Sequence, residues 1–149
     1  MTPLRHSEFT NAILIDTLGR FLFQQRDNIP GIFQPGKIGL FGGHREGDET
    51  CLQCIVREVH EEIGYFLPPD RFEYLTSYDG TDIDVEGSTT LHGKIFVARG
   101  VPIERLEITE GTLFVAEPDE LASLTPRLSP SAKAGLKAFL RSARMDPVT

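Results

Sequence analysis

The sequence has only two cysteines, Cys51 and Cys54, among its 149 residues. Two residues apart on a predicted helix, they are badly placed to bridge each other, so a disulfide framework is excluded as the source of stability. They do not make a zinc site either, because no second cysteine pair and no local histidine pair completes the four ligands. Positive charge is also short: 15 Lys and Arg stand against 22 Asp and Glu, a net charge of −7. Long nucleic acids are bound through basic surfaces, which excludes them as partners; a small phosphorylated molecule stays open if a cation mediates the contact. The chain lacks any apolar run of membrane-spanning length, and the opening MTPLRHSEFT has no basic patch followed by an apolar stretch. No membrane partner is expected, and a cytoplasmic location is the expectation. Internal repeats, low-complexity tracts and linkers are absent as well, which leaves one domain spanning residues 1–149.

What is present is ordinary globular composition, with 40% hydrophobic and 25% charged residues, enough to bury a core without staples. Phe9 to Ile15 and Arg20 to Arg26 are apolar-rich runs around a turn-like spacer, Asp16 to Gly19, and read as a hairpin. The Gly- and Pro-rich stretch DNIPGIFQPGK that follows predicts a long surface loop leading into a short strand, Ile38 to Phe41. Leu52, Ile55, Val56, Val59 and Ile63 recur at spacings of three and four, which predicts a helix from Glu49 or Thr50 to Ile63 whose packing face they form. Gly64 supplies its stop. Strands are predicted at Phe72 to Tyr78 and Thr90 to Ala98 around an acidic loop, DGTDIDVEG, and again at Gly111 to Ala116. A short helix in EPDELASL and a final one from Ser129 close the chain. The latter has Ser129 as N-cap, Pro130 at its first position, and Leu136, Phe139 and Leu140 facing inward. Strands, helix, strands, helices: the order is that of an α+β domain with helices packed on a sheet.

Within the first helix, Glu58, Glu61 and Glu62 fall inside an arc of about 100°. Like charges three and four apart cost only about 0.2–0.5 kcal/mol when exposed, so a solvated acidic face explains the spacing as well as a site does. The flanking LFGGHREGDE shifts the balance. Gly42 and Gly43 permit a tight turn whose carbonyls can face the helix, and hard divalent cations take carboxylate and carbonyl oxygens. Arg57, four residues before Glu61, is placed to hold that carboxylate.

Gly43, five residues, Glu49, seven residues, then Arg57-Glu58-Val59-His60-Glu61-Glu62-Ile63-Gly64-Tyr65 resembles the Nudix box, with every fixed residue of that signature present. Tyr65 stands where an aliphatic residue is usual, and its ring can fill the same packing role. The resemblance implies the Nudix-type α-β-α sandwich with a mixed β-sheet. It also implies Mg²⁺ or Mn²⁺ on Glu58, Glu61 and Glu62 with the carbonyl of Gly42 or Gly43, Glu49 beside them, and Arg57 as an orienting partner. The implied activity is hydrolysis of a diphosphate linkage in a nucleoside diphosphate derivative or nucleoside triphosphate, with Glu58, Glu61 or an acid from a later loop as base. The implied partner is a small nucleotide, and a homodimer is common among similar proteins. The alternative is a non-catalytic nucleotide sensor or regulator with the same fold; such proteins usually lose some of the carboxylates. An isoprenoid diphosphate isomerase branch departs from the box and is disfavoured.

Outside the box, Asp79, Asp82, Asp84, Glu86 and Glu110 are candidate further ligands or bases, each against the plainer reading of a solvated loop. Glu110, just before a predicted strand, is the first choice among them. Arg26, Lys37 and Arg45 flank the glycine turn and are candidate phosphate contacts or ordinary surface charge. Phe33, Phe41, Tyr74 and Tyr78 are candidates to stack on a base or to fill the core. His44 and His60 occupy variable positions of the motif. The proline typical of members acting on ADP-ribose has no counterpart between Pro69 and Pro102, so the leaving group stays open.

Overall fold

The long strand β1 (His6–Asp16) is the spine of the molecule, and its AILI run is buried on both faces, as a strand covered on both sides must be. The computed structural model describes residues 6–27, 36–84 and 87–145. A turn closed by Asp16 leads to β2 (Phe21–Gln25), antiparallel to β1 with Leu14 opposite Leu22, so the predicted hairpin forms. Asp16 accepts the N–H of Leu18 at 2.9 Å, the N–H of Arg20 at 2.8 Å and Arg20 Nε at 2.7 Å, which fixes that turn from within. Most of the predicted Gly/Pro loop lies outside the described residues.

The single strand expected at Ile38 to Phe41 is two. β3 (Ile38–Gly39) pairs with β2, whereas β4 (Phe41–His44) crosses to pair with β1 from Phe9 to Ala12. The β1–β2 register covers Leu14 and Ile15 only, so the lower half of β1 has an open edge that β4 fills. The acidic loop is likewise corrected. β5 (Phe72–Asp84) and β6 (Gly87–Val101) pair outward as far as Asp84 opposite Gly87, because ladder bonds use backbone groups and acidic side chains do not forbid them. β6 runs parallel to β1, and β7 (Thr112–Ala116) pairs with β2. Among the described residues, seven strands form one mixed sheet, in the order β3-β2-β1-β6-β5 with β4 and β7 attached to β1 and β2.

A helix covers each face. α1 (Cys51–Ile63) lays Ile55, Val59 and Ile63 on Ala12, Leu14, Leu22, Phe96 and Ala98. After the short α2 (Leu121–Leu124), α3 (Pro130–Met145) lays Ala132 and Leu136 on Ile13, Phe21, Phe23, Ile95 and Val97. The result is an α-β-α sandwich of the α+β class. Each fully buried aliphatic side chain in these layers contributes about 1.5–3 kcal/mol, which is what pins both helices to the sheet. Tyr65 packs half-buried against the α1 layer, in the role expected of it.

Two inward assignments are corrected. Leu52 is exposed in the first turn of α1, where Cys51 and not Leu52 packs against the core, and Leu140 is exposed in the last turns of α3, with residues 140–143 all exposed. Phe139 does pack, edge-on to Phe21 at 5.5 Å. Ser129 caps α3 as predicted, its Oγ accepting the Ala132 N–H at 3.3 Å.

Candidate active site

α1 begins and ends where local chemistry requires. Thr50 Oγ1 accepts the Gln53 N–H at 3.0 Å while Gln53 Oε1 accepts the Thr50 N–H at 2.8 Å, a reciprocal cap that satisfies two donors at the helix start. At the other end Gly64 takes the left-handed conformation, φ 65°, and its N–H bonds to the His60 carbonyl. The remaining carbonyls of the last turn are capped by a distant segment: Glu107 N–H donates to Ile63 O at 2.7 Å, Thr109 N–H to Glu62 O at 3.1 Å, and Thr109 Oγ1 to Glu61 O at 3.0 Å. The helix is thus held at both ends, and the carboxylates between them inherit that rigidity.

The three glutamates of α1 occupy three different environments. Glu61 is largely exposed, with 59% of its side chain in solvent. Glu58 is mostly covered and takes Arg57 Nη1 at 2.9 Å. Glu62 is buried, only 6% exposed, although periodicity sets it beside the other two on one polar face. Its Oε1 accepts the Gly42 N–H at 2.7 Å and its Oε2 the amide of Gln24 at 3.3 Å. Burial nevertheless pushes its carboxyl up to about 8, helped by the negative charges of Glu58 and Glu110 and opposed by those two hydrogen bonds.

Arg57 is the cation of the cluster. It grips Glu49 with two bonds, Nε to Oε2 at 2.7 Å and Nη2 to Oε1 at 2.8 Å, and also reaches the His44 carbonyl at 3.2 Å and Glu61 at 3.4 Å. That grip holds the Glu49 carboxyl down to about 2 and raises the already high pKa of Arg57. Glu49 also accepts the Glu46 N–H at 3.0 Å, so it ties the approach to α1 as well as the helix itself.

The glycine pair on β4 lies against these acids. Gly42 has φ 148°, and a Cβ there would stand 1.9 Å from the Thr10 carbonyl oxygen, so only glycine fits. At Gly43 a Cβ would fall 2.4 Å from the Glu58 carboxylate, which therefore lies directly over bare backbone. Behind it, Cys54 donates its thiol hydrogen to Gly43 O at 3.7 Å and accepts Thr10 Oγ1 at 3.1 Å; burial pushes this thiol up to about 11, and it stays neutral. Cys51 and Cys54 are both free thiols.

The remaining candidates divide. Glu110 stands close enough to Glu62 to raise its pKa, and its carbonyl accepts the Gln24 amide at 3.1 Å. Arg45 pairs with the Glu8 carboxylate and donates to Glu49 O at 3.2 Å, and Lys37 Nζ donates to Pro126 O at 3.4 Å. The backbone N–H of Arg26 donates to Lys37 O. Asp79 pairs with His92 across the β5–β6 ladder. Phe41 is core, Tyr78 lies edge-on to Phe9 at 6.1 Å, and Tyr74 is exposed; Phe33 and Glu86 lie outside the described residues. Sequence reasoning missed Gln24 and Thr109. The signal for Gln24 was available: an amide two residues after Leu22 sits on the strand face that packs under α1, where an apolar side chain is expected.

These donors suit a hard divalent cation. Oxygen ligands are supplied by Glu58, Glu61, Glu62 and the β4 carbonyls, the bare backbone at Gly43 leaves room beside Glu58, and the repulsion felt by Glu62 is what a cation would relieve. Among the described residues no three acidic, His or Cys side chains are already drawn together as a ligand set.

The NUDIX domain model matches residues 6–139. The E. coli ORF135 protein is 26% identical, with 97% of this chain and 96% of that one covered and a TM-score of 0.67. The MutT protein of Methanosarcina mazei Go1 superposes with a TM-score of 0.78 at 16% identity, covering 97% and 99% of the two chains. A bifunctional NMN adenylyltransferase/ADP ribose pyrophosphatase of Francisella tularensis, solved with AMP and a Mn ion, is 21% identical with a TM-score of 0.68; the match covers 95% of this chain and 43% of that one. No functionally curated protein matches the sequence. With the domain model running from β1 into α3 and the acids of its signature gathered along α1, the chain belongs to the Nudix hydrolase family.

Proposed function

We propose that this hydrolase cleaves the diphosphate linkage of a nucleoside diphosphate derivative or nucleoside triphosphate with Mg²⁺ or Mn²⁺ held by Glu58, Glu61 and Glu62 and the carbonyl of Gly42 or Gly43. The observation that carries this reading is the buried Glu62, an acid kept among other acids with its orientation fixed by the Gly42 N–H. A bound divalent ion supplies charge neutralisation at the diphosphate and a water of lowered pKa. The Mn ion in the F. tularensis pyrophosphatase complex supports that choice of metal.

The chain's own residues do the rest. Arg57 neutralises Glu49 and shares Glu58, so both carboxylates keep one orientation without solvent having to hold them. Glu61, the most exposed of the three, is free to face a water molecule, and together with Glu58 and Glu110 it forms the set from which the proton acceptor comes. Arg26, Lys37 and Arg45, which flank the glycine turn in the sequence, are the candidate phosphate contacts; Lys37 joins by leaving the Pro126 carbonyl and Arg45 by leaving Glu8.

A nucleotide panel assayed with Mg²⁺, with Mn²⁺ and with chelator tests the reading. Release of phosphate-containing products that chelator stops and that Glu61→Gln or Glu62→Gln abolishes is the expected result. Binding of nucleotides without conversion of any, under both metals, would overturn it in favour of a regulator.

A further inference from the structure

Gln24 has no part in the family signature, yet its amide occupies a junction. It lies on β2, 3% exposed, and a single nitrogen donates to two acceptors from different parts of the chain: Glu62 Oε2 on α1 at 3.3 Å and the Glu110 carbonyl at 3.1 Å. An amide NH₂ carries two hydrogens, so both contacts can be made at once. The reversed orientation would turn the amide oxygen towards two other oxygens, and the chemistry of the acceptors therefore fixes which way the amide points.

Those acceptors matter because of what they belong to. The segment 107–111 reaches α1 through the carbonyls of Glu61, Glu62 and Ile63, and all these contacts are with backbone atoms of the helix. Only the Gln24 amide links that segment to a carboxylate of the cluster among the hydrogen bonds described. The segment is also pressed onto β2 itself: Gly111, φ 65°, passes so close that a Cβ would stand 2.4 Å from the Gln25 carbonyl oxygen. β2 thus holds the segment by its backbone at Gln25 and by its side chain at Gln24.

We infer that Gln24 is a positioning residue that clasps the Glu110 segment to the Glu62 carboxylate and thereby sets the affinity of the acidic cluster for a divalent cation. The inference rests on the metal site proposed above but concerns a residue outside it. Gln24 acts by fixing the orientation of Glu62, whose other oxygen is held by the Gly42 N–H.

The test is Gln24→Met, which keeps the length and volume of the side chain and removes both donors. Mn²⁺ alone is titrated into wild type and variant and followed by the loss of the free-ion paramagnetic resonance signal, with thermal melting as the control for folding. Removing the hydrogen-bond partner of a metal ligand weakens metal binding by about 10–100-fold, and that weakening in a folded variant is expected here. Amide hydrogen exchange gives a metal-independent readout: the Thr109 and Glu107 N–H groups should exchange faster in Gln24→Met. A second variant, Gln24→Lys, restores a nitrogen donor and should recover the protection of those amides. Folded Gln24→Met with wild-type Mn²⁺ affinity and unchanged exchange overturns the inference while leaving the proposed function standing. Wild-type protein that binds Mn²⁺, loses affinity in Gln24→Met and yet hydrolyses no nucleotide supports the clasp and overturns the proposed function instead. Wild type that binds no Mn²⁺ overturns both.

Discussion

Gly42 and Gly43 are adjacent, and both exclude a methyl group, but for different reasons that one pair of substitutions separates. In Gly43→Ala the new Cβ meets the Glu58 carboxylate at 2.4 Å, with Oε2 at the same distance and Oε1 at 2.7 Å. Ordinary contact begins near 3.4 Å, so the carboxylate has to retreat by about 1 Å. It is the far end of a flexible side chain, and the retreat costs about 0.5–1.5 kcal/mol in rotamer strain and weakened contact with Arg57. A displacement of about 1 Å at a catalytic group costs about 10²-fold in rate. Gly43→Ala should therefore melt within a few degrees of wild type and lose about two orders of magnitude in kcat/KM. Gly42→Ala should do the reverse: its Cβ falls 1.9 Å from the Thr10 backbone oxygen at a positive φ, so the β1–β4 ladder itself must part and the melting temperature must collapse. Melting curves and metal-dependent turnover of the two variants decide the matter. A Gly43→Ala enzyme that keeps full activity, or one that unfolds like Gly42→Ala, would show that Glu58 does not work where the structure puts it.

Arg57→Lys replaces a fork that spans Glu49 and Glu58 with a single charged centre, so one of the two acids loses its holder. Mn²⁺ affinity should fall by about 10–100-fold with unchanged circular dichroism, read by the same titration. Asp16, which closes the β1–β2 turn, carries the acid-limb prediction. Burial alone would raise its carboxyl, but the hydrogen bonds from Arg20 and Leu18 outweigh it and hold it below its ordinary 3.8. Its stabilising effect is therefore complete above 3.8 and is lost as pH falls through the lower, folded value. Asp16→Asn should cost about 1–2 kcal/mol at neutral pH and flatten the acid limb of a stability profile from urea melts; an unaltered limb would remove Asp16 from the account. Gly64→Ala forces a left-handed alanine onto the Glu107 carbonyl, 2.9 Å away, and should cost at least about 1–2 kcal/mol, measured by denaturant midpoint.

Much of this site can be read without coordinates because its parts are local. Thr50, Gln53 and Gly64 mark the ends of α1 by rules that involve only neighbouring residues, and the pair Gly42-Gly43 announces a close approach of backbone. What the sequence does not show is depth. Glu61 and Glu62 are consecutive, yet one is mostly in water and the other is buried, because burial depends on which way α1 is rolled against β2 and on the segment 107–111 packing over its end. Helical periodicity gives an angle around the axis and nothing about what arrives there from Gln24, 38 residues before Glu62, or from Thr109, 48 residues after Glu61. Gln24 escaped for the same reason: an amide in an apolar strand is anomalous, but only its long-range partners give the anomaly a meaning. The split of Ile38 to Phe41 into two strands was equally non-local, since it follows from how much of β1 the turn at Asp16 leaves uncovered.

The carboxylates sit in the second half of a strut clamped at both ends. At the start, Glu49 joins the approach loop to Arg57; at the finish, Glu107 and Thr109 cap the last turn from another part of the chain. Among the described residues, neither clamp uses the β5–β6 hairpin. Described residues of that hairpin can therefore change without moving Glu58 or Glu62. That separation is physical, because the energy that orients the acids comes from bonds the hairpin does not share. Substitutions at Tyr74 or Tyr78 should consequently leave the Mn²⁺ affinity of the free enzyme as it was; a loss of Mn²⁺ binding in a folded variant would mean that the hairpin is part of the strut after all.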